Sequence, residues 1–145
     1  MRKLLATALM GLATLTGPAA QAEGADKMVT ILTSDEPQTQ LMSMVLTMQS
    51  MKQGASAYVL LCGPAGDLAL KEAPAPATAP QEPKGMSPQL LMQKIMAQGA
   101  TVEVCAIYLP NKGVGADALL DGIGSAKPPA MAARLLAEDT RIMSF

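Results

Sequence analysis

Apolar residues fall into two alternating patterns along this chain: short continuous runs, and stripes at helical spacing. Residues 27–33 (KMVTILT) form a β-branched run with no polar alternation, as expected of a strand buried on both faces of a parallel sheet. Thr33-Ser34-Asp35-Glu36-Pro37 follows, where Ser34 or Asp35 is placed to cap a helix and Pro37 suits its first turn. Leu41, Met44, Val45 and Met48 recur at i, i+3, i+4 and i+7. This predicts a helix to about Gln53 with those side chains facing the core, and Gly54 stops it. Residues 56–62 (SAYVLLC) predict a second buried strand, and residues 67–71 a short helical turn. Residues 71–88 hold five prolines in eighteen positions, which excludes a regular helix or central strand and predicts an extended or mobile surface loop. Ser87 and Pro88 open a second helix that Gly99 closes, with Leu91 and Ile95 on one side. Residues 100–108 (ATVEVCAIY) predict a third strand with Cys105 near its end, and residues 110–113 a turn. Residues 115–121 predict a short helix, 122–125 a very short strand or loop, 128–137 a helix, and 140–145 a last strand.

Strands alternating with helices in this way imply a mostly parallel sheet with helices on both faces. Right-handed crossovers bring the C-terminal ends of the strands to one edge, where open α/β sheets place their ligand sites. Cys62 and Cys105 both fall at such ends.

The N-terminus changes how the composition is counted. Arg2 and Lys3 precede an apolar run over residues 4–15, Gly17 and Pro18 break it, and Ala20-Gln21-Ala22 is a small-x-small cleavage site. Residues 1–22 are expected to be a signal peptide cut after Ala22, the run being shorter than the ~20 apolar residues of a membrane span. Removing 22 residues from 145 leaves one domain, 23–145, of 123 residues, with nine basic and twelve acidic side chains and a net charge of −3. No second stretch is long enough to cross a bilayer. The mature product is expected to be a soluble periplasmic protein, and both cysteines enter an oxidising compartment.

The chain contains no histidine and no tryptophan, and only three Phe and Tyr residues. That excludes a Ser-His-Asp triad, a Cys-His pair and a His-ligated zinc or haem. It also removes the hardware for base stacking, and the acidic balance gives no case for nucleic acid. No cofactor or metal site is called for by any motif. The lone glycine pair at Gly113 and Gly115 carries no nucleotide signal.

From residue 27 to 145 the chain resembles the DsrE/DsrF-like family of sulfur-relay proteins. The resemblance lies in KMVTILTSDEP, SAYVLLCGPAG, SPQLLMQKIMAQGATVEVCAIYL and the terminal RIMSF. It implies a three-layer α/β/α sandwich around a parallel sheet of about five strands, and often a homo-oligomer. It also implies a cysteine that accepts sulfane sulfur as a persulfide and hands it to a protein partner. The reactive thiol of the family ends the strand after a helix-Gly-small-strand unit, here residues 99–105, so the role carries over to Cys105. The chain departs from the pattern in its export signal, its proline-rich segment and its second cysteine, and donor or acceptor partners would have to be periplasmic. If the second and third strands are neighbours, as the family fold implies, Cys62 and Cys105 come within bridging range. Three outcomes stay open: a structural disulfide, a redox or resolving pair, or two separate thiols. Lys112, seven residues past Cys105, is placed to add positive charge if the turn folds back. The sequence supports a second reading from a different class. The mature chain keeps ten methionines, which with cysteine are soft ligands suited to Cu(I), and a non-catalytic periplasmic binding or assembly module would use them. Core packing is the plainer use of the same side chains.

Overall fold

The computed structural model describes residues 27–145; the expected signal peptide and its cleavage site lie outside the described residues. Five strands form one sheet: β1 (Lys27–Leu32), β2 (Ser56–Leu61), β3 (Thr101–Val104), β4 (Gly124–Ser125) and β5 (Thr140–Ser144). They are ordered β4-β3-β2-β1-β5, and every pairing is parallel. The helices are α1 (Pro37–Lys52), α2 (Ala75–Thr78), α3 (Pro88–Ala97), α4 (Tyr108–Lys112) and α5 (Pro128–Leu135). The chain steps outward from β1 to β4, which puts α1 and α3 on one face. The return from β4 across to β5 reverses direction and carries α5 to the other face, as the right-handed crossover rule requires.

Side chains alternate between the two faces along each strand. Leu32, Val59, Leu61, Val102 and Val104 meet Met44 of α1 and Met92 and Ile95 of α3 in the larger core. Val29, Tyr58 and Leu60 meet Met131 of α5 in the smaller one. One eight-residue helix covers little of that second face. Ile142 on edge strand β5 stays 50% exposed, and Leu136 just past α5 stays 84% exposed.

The inner stripe of α1 differs from the expected one. Gln40, Ser43, Met44 and Thr47 are buried, while Leu41, Val45 and Met48 are only partly so. Most of these polar groups are paired: Gln40 Nε2 donates to the Ser34 carbonyl at 2.9 Å, and only its Oε1 stands buried without a partner. The Thr47 hydroxyl donates to the Ser43 carbonyl and Ser43 to the Gln40 carbonyl, each at 2.7 Å. The single proton of Thr47 is thereby used, so the hydroxyl of Thr30 on β1 donates to Thr47, also at 2.7 Å. Small hydroxyl residues let the helix approach the sheet closely, and Leu41, Val45 and Met48 are covered from outside instead.

The cover is the proline-rich segment, which is ordered rather than extended or mobile. Ala77 of α2 is buried, Gln81 and Met86 form an antiparallel bridge, and Gly85 turns the chain at φ +61°. Together with α1 it encloses an apolar groove of about 820 Å³ lined by Leu41, Val45, Met48 and Met86. Its prolines forbid a ladder, but they do not forbid packing.

Two further expectations are corrected. The third strand stops at Val104 rather than Tyr108, because the chain turns after Cys105, Tyr108 N–H donating to the Cys105 carbonyl. Residues 110–113 belong to the end of α4, which Gly113 closes in the left-handed conformation, and not to a separate turn.

Candidate functional site

Register brings the two cysteines together. Leu60 pairs with Glu103 and Leu61 with Val104, so the next pair in line is Cys62 with Cys105. The Cys105 N–H still donates to the Leu61 carbonyl at 2.8 Å, and the Cys62 N–H to the Leu32 carbonyl at 2.9 Å. Their Cα atoms lie 5.1 Å apart and the side chains are joined as a disulfide. Both point to the α5 face, where they are half-buried against the smaller core. Of the three outcomes left open by the sequence, separate thiols is ruled out.

Past Cys62 the chain turns through Gly63, at φ +54°, into a 3₁₀ segment, Gly63–Ala69. Past Cys105 it enters α4. The two segments lock together. The ring of Tyr108 lies directly on Gly66, where any Cβ would collide with it. The Tyr108 hydroxyl donates to Asp67 Oδ1 at 2.7 Å, and Lys112 Nζ donates to the same oxygen at 2.7 Å. Burial first, then the Asp67 carboxylate, pushes the Tyr108 phenol well above its usual range. The turn therefore folds back as expected, but Lys112 is compensated by Asp67 and brings no net charge to the thiols.

A second polar cluster stands below the disulfide on the α5 face. The Tyr58 hydroxyl donates to Glu103, and the guanidinium of Arg134 on α5 stacks over the Tyr58 ring, 4.2 Å from its centroid. Burial, then Glu103, pushes the Tyr58 phenol up. The contact fastens α5 to β2 and β3 beside the cysteines. Neither cluster was identified in the sequence. The one signal was Glu103, a carboxylate in the middle of an otherwise apolar strand.

Most of the methionines are used for packing, Met42 on α1 being the exposed exception. Met44 and Met92 are fully buried, and Met48, Met51, Met86 and Met96 rest against the larger core. Among the described residues no group of three or more His, Cys, Asp or Glu could hold a metal ion, and no helix is long and apolar enough to cross a membrane.

An all-parallel five-stranded sheet in this order, flanked by helices on both faces, defines an α/β sandwich of the kind the resemblance implies. Among the solved structures with this architecture are two from microbes. The ychN protein from E. coli superposes with a TM-score of 0.65 at 19% identity, over 83% of this chain and 99% of its own. MTH1491 from Methanobacterium thermoautotrophicum, described as a protein of unknown function, superposes with a TM-score of 0.61 at 11% identity, over 82% of this chain and 98% of its own. At these identities the likeness is one of fold. No protein family profile matches the sequence, and no curated protein matches it.

Proposed function

We propose that this is an exported, periplasmic carrier of sulfane sulfur that works through Cys105, with Cys62 as its partner thiol. The observation that carries the reading is the register-matched pair at the C-terminal edge of the two neighbouring strands. The leader-like N-terminus and a disulfide suited to an oxidising compartment support the location.

A dithiol reductant opens the disulfide and leaves as a cyclic disulfide. The Cys105 thiolate then attacks the outer sulfur of a persulfide donor, R–S–SH. The donor S–S bond breaks, R–S⁻ departs, and Cys105 holds the sulfur as Cys105–S–SH. An acceptor thiolate takes the outer sulfur by the same exchange. Where no acceptor comes, the Cys62 thiolate attacks the Cys105 sulfur, re-forms the disulfide and expels HS⁻. The two thiols are oxidised and the sulfane sulfur is reduced to sulfide.

Intact-mass spectrometry tests the cycle. Reduced protein exposed to polysulfide should gain about 32 Da, one sulfur atom. Cys105→Ser should gain nothing, and Cys62→Ser should hold the added sulfur longer because the expelling thiol is gone. A Cys105→Ser variant that loads as well as the parent, or a Cys62→Ser variant that never loads, overturns the reading and leaves the disulfide as a structural staple. The copper reading has no comparable observation behind it, since the thiols are paired and most methionines rest in or against the core.

A further inference from the structure

The lock between Gly63–Ala69 and α4 forms a pocket of about 440 Å³ at the same edge of the sheet. Gly63, Pro64, Asp67, Ile107, Tyr108 and Lys112 line it. Gly63 directly follows Cys62, and Ile107 stands two residues past Cys105, so the pocket adjoins the backbone of both cysteines, neither of which lines it. Its volume lies in the ~300–1,000 Å³ range of small-molecule sites. Its walls are fixed in advance. Pro64 has a set φ, Tyr108 is held by Gly66 and Asp67, and the Asn111 side chain ties down the Ile107 carbonyl at 2.7 Å. Ile107 gives an apolar rim, 71% exposed.

The charges narrow the ligand class. Asp67 and Lys112 offer one anion and one cation 2.7 Å apart, with no net field to attract a dianion such as thiosulfate. Asp67 Oδ1 takes both donors, which leaves Oδ2 free for an ammonium, and Lys112 keeps N–H groups for a carboxylate. An ammonium and a carboxylate on one small molecule describe an α-amino acid. We propose that the pocket binds the amino-acid end of a zwitterionic persulfide, cysteine hydropersulfide being the simplest. The rim then directs its outer sulfur to Cys105. This rests on the carrier reading above and names its donor. The transfer is the exchange already written, with cysteine thiolate as the leaving group.

Binding is tested apart from chemistry. S-methylcysteine carries the same charges and cannot transfer sulfur. Titrated into the oxidised ¹⁵N-labelled protein, it should shift the Tyr108, Asn111 and Lys112 amides saturably. Lys112→Met, a change at a part-exposed side chain, should weaken this about tenfold or more, the usual scale for losing a charge-assisted contact. Asp67→Asn should do likewise from the ammonium side. N-acetyl-S-methylcysteine methyl ester, which has neither charge, should not shift these amides. No saturable shift, equal binding by Lys112→Met, or equal binding of the uncharged ester overturns the inference. Loading of the reduced protein separates the two claims. Loading that is saturable with cysteine hydropersulfide, and weaker in Lys112→Met, supports both. Loading that rises linearly with every donor keeps the carrier and removes the pocket. S-methylcysteine binding without loading from any donor overturns the carrier reading, and the donor assignment with it.

Discussion

At the scale of single residues, the site depends on one missing methyl group. Gly66 carries no Cβ, and the Tyr108 ring occupies the space one would need; an alanine Cβ would stand 2.7 Å from Tyr108 Cζ. The ring has nowhere to retreat, because its hydroxyl is tied to Asp67 and its body lies in the larger core. Gly66→Ala should therefore destabilise the protein by about 1–3 kcal/mol, the usual cost of overpacking, read as a lower urea midpoint. Gly63→Ala is the contrast: its Cβ would meet nothing, and only the left-handed backbone at φ +54° resists it, at about 1–2 kcal/mol. Gly66→Ala should also disturb the Lys112 and Asn111 amides, since Tyr108 positions α4, whereas Gly63→Ala should leave the Tyr108 ring signals unchanged. In the sequence, the glycines of Gly63-Pro64-Ala65-Gly66 mark a place where backbone can be approached closely. The partner in that approach is 42 residues away along the chain, and no local pattern names it.

At the scale of elements, the start of α1 shows how local chemistry is chosen among equals. Ser34 or Asp35 is the cap expected from the sequence, and neither is the one used. The structure uses Glu36, whose two carboxylate oxygens accept the Gln38 and Thr39 N–H groups, while Ser34 Oγ instead accepts the N–H of Glu36 itself. Hydrogen bonds from the Gln38 and then the Thr39 backbone hold the Glu36 carboxyl below its ordinary value of 4.5. A depressed acid stabilises the fold fully above its unfolded value, and that contribution is lost as pH falls through the lower folded one. The stability difference between the parent and Glu36→Gln should thus favour the parent at pH 7, shrink below about pH 4.5 and vanish at still lower pH. Urea midpoints taken across that range check it, and a difference that persists in full at low pH would contradict the assignment of the cap. The helices themselves are legible from Pro37, Pro88, Gly54 and Gly99. The rotation of α1 is not, because Gln40, Ser43 and Thr47 read as a solvent face. Their partners make them core: Thr30 on β1 for Thr47, the Ser34 carbonyl for Gln40 and the Gln40 carbonyl for Ser43. The proline-rich segment is misread for a similar reason: its lack of regular hydrogen bonds is visible, but its apolar partners on α1 are not.

At the scale of the whole molecule, alternation and crossover handedness give the layered parallel sheet and the edge that carries both cysteines. They do not give register. The polar side chains that fix it, Tyr58 on β2 and Glu103 on β3, are hydrogen-bonded partners 45 residues apart, and no local pattern pairs them. For this reason three fates for the cysteines stay open in the sequence and the disulfide emerges only with Leu60 opposite Glu103. The bridge spans a sequence separation of 43 and ties β2 to β3 around the proline-rich segment and α3. Chain-entropy scaling puts the stabilisation from closing such a loop near 4 kcal/mol, and measured bridges typically give about 2–4 kcal/mol. The carrier cycle sets a limit on how much the fold can depend on it, since Cys105 is a nucleophile only when the bridge is open. That fold rests on the larger core of β1, β2, β3, α1 and α3, which the bridge does not enter. Reduction should therefore lower unfolding stability by about 2–4 kcal/mol and leave the native spectrum in place at 25 °C. The urea m-value should rise as the unfolded chain, freed of its cross-link, exposes more surface. The Cys62→Ser/Cys105→Ser double variant should match the reduced parent and ignore reductant altogether. A parent that unfolds on reduction at neutral pH would mean the bridge is a staple the fold cannot lose, and a thiol that never becomes free in the folded state cannot carry sulfur.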